Sequence, residues 1–340
     1  MTVSVDSTGV GATGVASAGR GSIGRGSAMV VGASLLVALA TVSLFVGVAD
    51  ITVGDVVSGR ADYELILLSR IPRTLALVLA GAALSVAGLI MQLLTRNVFV
   101  EPSTAGTLDF ATLGLLATAL LWPAAPILAK MALGTAFALL GTALFLRILA
   151  VVPLRDVLVV PLVGLMLGGV VGSFSTFVAY RTDLLQSLNA WTTGDFSAVI
   201  AGRFELLWLA GVLVVVAALV ADRFTVAGLG EAFTTNLGLD YRRTMTLGMT
   251  VVAVVSATVV LTVGALPFLG LVVPNVVRAL VGDHARRAVP WVALTGAALV
   301  LACDLVARTV IAPYEMPIAT VLGVVGAAAF LVLLARRRHG

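Results

Sequence analysis

The chain has 340 residues, of which 60% are hydrophobic and only 11% charged, with a net charge of +4. A soluble domain carries about 25% charged residues, so this deficit excludes a water-soluble globular protein and, at a mean hydropathy of +1.13, places the chain in a lipid bilayer. The basic balance does not point to nucleic acid, because the charges are dispersed at the ends of apolar runs rather than gathered into a patch.

Composition also removes several chemistries. Lys130 is the one lysine, and it stands between Ala129 and Met131. A P-loop needs Gly-Lys-Ser/Thr around its phosphates, so the chain is not itself a Walker-type ATPase. Cys303 is alone in an apolar run, which excludes a disulfide or a thiolate cluster. His284 and His339 fall in a loop and the tail. No metal site, haem or other cofactor is implied.

Residues 1–28 are rich in Gly, Ser, Ala and Thr, a composition that buries no core and predicts a disordered tail. The run from Met29 to Val48 is about 20 residues long and lacks a small-residue cleavage site, so it reads as a retained first span rather than a signal peptide. From there the apolar runs predict an all-α polytopic membrane protein of about ten transmembrane helices, with one permease-like domain over 29–338. The spans fall near 29–48, 71–94, 107–122, 127–149, 157–179, 204–221, 244–263, 266–281, 290–309 and 316–335. Placing both termini in the cytoplasm puts most basic residues inside, among them Arg96, Arg147, Arg223, Arg242, Arg243, Arg286 and Arg287, as the positive-inside rule prefers.

In the fifth span Gly164, Gly168 and Gly172 recur every four residues, which permits close helix packing or a smooth wall beside a path. The eighth span is interrupted. Gly264, Pro267, Gly270 and Pro274 break it into a turn and a short helix, and such backbone is tolerated at membrane depth only inside protein or along a cavity.

Between the sixth and seventh spans lies Ala221–Arg243, the longest polar interval after the tail. It predicts two short helices, the first starting near Gly228 and carrying Leu229, Ala232 and Phe233 on one face, followed by a turn at Gly238. Ordering such a segment gains a membrane protein little unless something docks on it. The segment is read as a coupling surface for a soluble partner, formed by Gly228, Leu229, Gly230, Glu231, Phe233, Leu237, Gly238, Leu239, Arg242 and Arg243. On the other side of the bilayer, Asp304 and Arg308 are four apart on one helix face and are expected to form a structural ion pair.

Several stretches resemble one family. They are Arg70-Ile71-Pro72-Arg73-Thr74-Leu75, Gly81-Ala82-Ala83-Leu84 with Gly88 and Gln92, Arg96-Asn97, and Glu101-Pro102. Asn236-Leu237-Gly238-Leu239 with Arg242-Arg243, Gly264 through Pro274, Asp283-His284 with Arg286-Arg287, Asp304 with Ala307-Arg308, and Glu315-Met316-Pro317-Ile318 follow in order. This is the pattern of FecCD/BtuC-type permeases, the membrane subunits of type II ABC importers for iron–siderophores, haem and vitamin B12. Asn275 stands where the family usually has histidine, and Asn97 to Gly106 departs from the commoner Asn-Pro-Leu-Ala form. Both features resemble the branch for petrobactin and related catecholate siderophores.

The resemblance implies a second permease subunit, as a copy or a paralogue, two cytoplasmic ABC ATPases and an extracytoplasmic siderophore-binding protein. It implies no nucleic acid and no enzymatic activity of this chain. It also implies that Arg70, Arg73 and Arg308 dock the binding protein, their planar guanidinium forks suiting its carboxylates. The rival class is an ion- or proton-coupled secondary transporter, and the scarcity of intramembrane acids argues against it. An intramembrane enzyme would need a His/Asp/Glu or serine constellation at helix depth, and the sequence has none.

Overall fold

The computed structural model describes residues 25–47, 63–151 and 159–337, and the tail ahead of Arg25 lies outside them. In chain order the helices are α1 (Arg25–Phe45), α2 (Tyr63–Leu94), α3 (Thr107–Leu121), α4 (Ile127–Val151) and α5 (Val159–Arg181). After α6 (Leu185–Thr192) come α7 (Leu207–Leu219), α8 (Ala221–Ala227), α9 (Glu231–Asn236) and α10 (Tyr241–Val263). The chain ends with α11 (Leu269–Val281), α12 (Ala285–Thr309) and α13 (Ile318–Arg337). Among the described residues, seven helices are long and apolar enough to cross a membrane, and α7 with α8, bent by 65°, makes an eighth. With the two shorter apolar helices α3 and α11, the bundle has the layout of about ten spans.

α2 is the axis of the bundle. It is the most enclosed of the spans, with α12, α10, α11 and α7 packed around it. Small residues make this possible, because lipid offers helices no hydrophobic drive to associate and close packing has to supply it. At Gly88 the approach is closest: a methyl group placed there would lie 2.0 Å from the carbonyl oxygen of Gly270. At the other extreme, α1, α5 and α13 expose most of their apolar surface.

α11 has 13 residues and rises about 20 Å, short of a hydrocarbon core of about 30 Å. It therefore begins at depth. Its start is built from broken backbone: Gly264 ends α10, and Phe268 takes a left-handed conformation with φ 61°. The freed groups find partners, as burial in lipid demands. Asp195 N–H donates to Val263 O at 2.9 Å, Ala265 N–H to Thr192 O at 3.2 Å and Ala319 N–H to Gly194 O at 3.1 Å.

Several boundaries differ from those read in the sequence. α1 begins at Arg25, so residues 25–28 belong to a helix rather than to the tail. α2 begins at Tyr63, with a π-helical turn over Ile66–Arg70. Arg70 therefore lies within the helix instead of preceding it, buried and donating to Leu44 O. The polar interval holds a helix ahead of the two expected, since α8 occupies Ala221–Ala227 and buries Phe224 and Ala227. The helix carrying Phe233 begins at Glu231, not near Gly228.

Candidate functional site

The polar interval folds into a fixed platform. Thr234 is fully buried, and its hydroxyl donates to Gly230 O at 2.7 Å and Val226 O at 3.1 Å, tying α9 back to α8. α9 ends in a Schellman arrangement: Leu239 N–H donates to Thr234 O at 3.1 Å, and Gly238 N–H to Thr235 O at 2.9 Å. This needs a left-handed residue, and Gly238 supplies it at φ 78° without a Cβ clash. Asp240 then caps α10, its Oδ1 accepting from Arg243 N–H at 3.0 Å.

With the backbone so held, the side chains divide cleanly. Leu229, Phe233 and Leu237 are 57%, 64% and 63% exposed, an apolar triad on the polar end of a membrane protein. Glu231, Arg242 and Arg243 of the same segment are exposed, whereas Leu239 is half-buried. Beside it runs a groove of about 320 Å³ lined by Arg223, Phe224, Leu239, Arg243 and Leu247. Apolar side chains grouped in this way mark a contact surface.

The platform is mechanically joined to the core. Gly228 packs against Leu93 O at the end of α2, and Gly230 lies against the guanidinium of Arg96. Arg286 pairs with Asp222 at 3.0 Å, and Ala285 N–H donates to Thr225 Oγ1 at 3.0 Å, linking α8 to α12. From Arg96 the chain runs through a buried loop to α3. In that loop Val98 O accepts from Asn275 Nδ2 at 2.8 Å, and the Glu101 carboxylate accepts from the N–H groups of Phe268 and Leu271 at the start of α11. Gln92 Nε2 reaches Gly270 O at 3.3 Å. Packing and hydrogen bonds therefore link the platform, the end of α2 and the start of the broken helix.

At the opposite end of the bundle, Arg70, Arg73 and Arg308 come together around an open groove of about 480 Å³ that Ser69, Ser197 and Glu315 help to line. Their guanidiniums are engaged within the chain. Arg73 pairs with Asp304 at 2.8 Å and with Glu315 at 2.8 Å. Arg308 contacts Asp304 and also donates to Val46 O at 2.7 Å and Ser43 Oγ at 2.6 Å. Arg70 donates to Leu44 O at 2.6 Å. The Asp304–Arg308 pair is thus one edge of a larger buried network that fastens α1, α2 and α12. Sequence spacing did not disclose the Arg73–Glu315 link, which joins positions 242 residues apart.

The model of the FecCD transport family matches residues 35–336. The chain belongs to the FecCD transport family. Along 305 residues it is 45% identical to the petrobactin import system permease protein YclN of Bacillus subtilis (strain 168), covering 89% of this chain and 96% of that one. It is 41% identical over 310 residues to the petrobactin import system permease protein FatD of Bacillus anthracis, covering 91% of each. Its fold matches that of a metal-chelate type ABC transporter in an inward-facing conformation with a TM-score of 0.79 at 23% identity, over 91% of this chain and 99% of that one. In this FecCD chain the family match takes in both the triad platform and the arginine network.

Proposed function

We propose that this chain is the permease subunit of an ABC importer that carries a ferric siderophore, of the catecholate-bearing class, across the cytoplasmic membrane. The observation that carries the reading is the near-full-length identity to two petrobactin import permeases. A second permease, copy or paralogue, completes the pathway, two ABC ATPases supply the energy, and a binding protein delivers the substrate. Both termini lie in the cytoplasm, as the distribution of arginines favours. The platform of Gly228–Arg243 then faces the ATPases, and the arginine groove faces the binding protein.

The mechanism follows from the contacts. Closure of the ATPases presses on Leu229, Phe233 and Leu237, and the fixed hydrogen bonds of α9 pass that displacement to Leu93 and Arg96. The Arg96–Gly106 loop and the start of α11 follow, because Asn275, Gln92 and Glu101 hold them together. Nucleotide shifts the balance of inward- and outward-open states only through its different affinity for the two. On the opposite face Arg70, Arg73 and Arg308 shape the floor of the docking groove. Being tied internally, they set its form and its positive field more than they act as free anchors.

Leu237→Asp tests the coupling surface. Loss of one apolar anchor costs about 2 kcal/mol, roughly 30-fold in affinity, so the ATPase should no longer co-purify and uptake should stop. Association of the binding protein with the nucleotide-free permease should be unchanged. Retained co-purification together with normal uptake would make the platform an ordinary loop.

A further inference from the structure

One carboxylate in the bundle has no role in the networks described. Asp109, in the first turn of α3, lies against Gly168 and Gly172 of α5. Those glycines fall near the middle of a 23-residue span, so the carboxylate sits close to mid-membrane. Among the described residues it forms no ion pair, whereas Asp304 and Glu315 at the arginine end of the bundle are paired. An ionisable group held at that depth is costly and marks a function by default.

The surroundings show what kind of group would meet it. A groove of about 640 Å³ opens along α5 from Asp109, lined by Ser173, Thr176, Phe177 and Tyr180. Phe177 and Tyr180 are 62% and 68% exposed and stand roughly two to three helical turns beyond the carboxylate towards Arg181. The glycines make room for the half-buried carboxylate: a methyl group on Gly168 would come within 2.4 Å of Oδ2, and one on Gly172 within 3.0 Å of Oδ1. No group of three or more His, Cys, Asp or Glu that could hold a metal exists among the described residues, so the ferric ion itself is not the ligand here.

We propose that Asp109 and the α5 groove form a cation subsite in the translocation path, which takes a protonated amine of the transported siderophore. The ring faces of Phe177 and Tyr180 attract such a group as it enters, and Asp109 neutralises it at the point of deepest desolvation. The hydroxyls of Ser173 and Thr176 offer it hydrogen-bond acceptors on the way. The proposal rests on the import reading for the identity of the substrate, while the charge preference of the groove stands apart from it.

The test uses the assembled importer in vesicles, in a Cys303→Ala background that removes the native thiol. Ser173→Cys is modified with a trimethylammonium-ethyl and with a sulfonatoethyl methanethiosulfonate, and each rate is normalised to that reagent's reaction with a small free thiol. A groove lined by one sign of charge raises the local counter-ion concentration by tenfold or more. The cationic reagent should therefore be favoured about tenfold, and Asp109→Asn should remove the preference. Equal normalised rates with Asp109 present would overturn the subsite. So would protection from both reagents in every nucleotide state, because a partner subunit or lipid would then fill the groove. In a second arm, Asp109→Asn should lower uptake of an amine-bearing ferric catecholate at least tenfold and leave that of an amine-free one unchanged. An equal fall for both would make Asp109 structural. Failure of the unsubstituted importer to take up either chelate, with the labelling preference intact, would overturn the siderophore reading instead.

Discussion

Asp304→Ala is expected to be the most destabilising single substitution in the described bundle. Asp304 is 1% exposed and serves two guanidiniums, those of Arg73 and Arg308. Its removal leaves Arg308, itself 4% exposed, with only the neutral partners Ser43 and Val46. Removing one member of a buried pair costs about 3–5 kcal/mol, because the remaining charge stays buried without compensation. Glu315→Ala should cost only about 1 kcal/mol, since Glu315 is partly exposed and its pair with Arg73 is screened. Thermal unfolding of the purified protein in detergent separates the two. A melting point for Asp304→Ala equal to that of Glu315→Ala would show that the network does not hold α1, α2 and α12 together.

Gly88→Val comes next, and its effect is on the moving parts. The first carbon added at Gly88 would lie 2.0 Å from Gly270 O and 2.5 Å from Gly270 Cα, both backbone atoms that cannot rotate away. α2 and α11 must separate, and the Gln92 contacts to Gly270 and Leu271, at 3.3 and 3.4 Å, part with them. Overpacking of this kind costs about 1–3 kcal/mol, less than the loss of Asp304. Gly88→Val should therefore still insert, yet lose uptake, because the broken helix no longer follows the platform. Gly88→Ala should fall between the two. Normal uptake by Gly88→Val would mean that the α2–α11 contact is not on the route of coupling.

Much of this was legible in the sequence, and the limits have physical causes. Apolar runs of span length, the turn at Gly238, the interruption from Gly264 to Pro274 and the four-residue spacing of Asp304 and Arg308 are local signals, and local patterns survive without a structure. α8 was hidden because its residues lie inside the polar interval, where Asp222, Arg223 and Thr225 read as loop, and it leaves α7 through a 65° bend. The turn before Arg70 was hidden because arginine suggests a helix end, whereas here the guanidinium folds back on Leu44 O. Long-range partners such as Glu315 for Arg73, or Val98 for Asn275, have no spacing that would betray them. Asp109 was visible as the one acid of the third apolar run, but only its position against the α5 glycines sets it apart from a helix-start residue.

The central claim is that transport is driven by ATP hydrolysed on another chain and transmitted through the platform. Its most direct test reconstitutes this permease with its partner permease and the ATPase in vesicles, supplies the loaded binding protein outside and measures entry of a labelled ferric catecholate. Accumulation should require hydrolysable ATP and should stop with Leu237→Asp, and the permease alone under a proton gradient should accumulate nothing. Gradient-driven accumulation by the permease alone, with no ATPase present, would contradict the account and make this chain a secondary transporter.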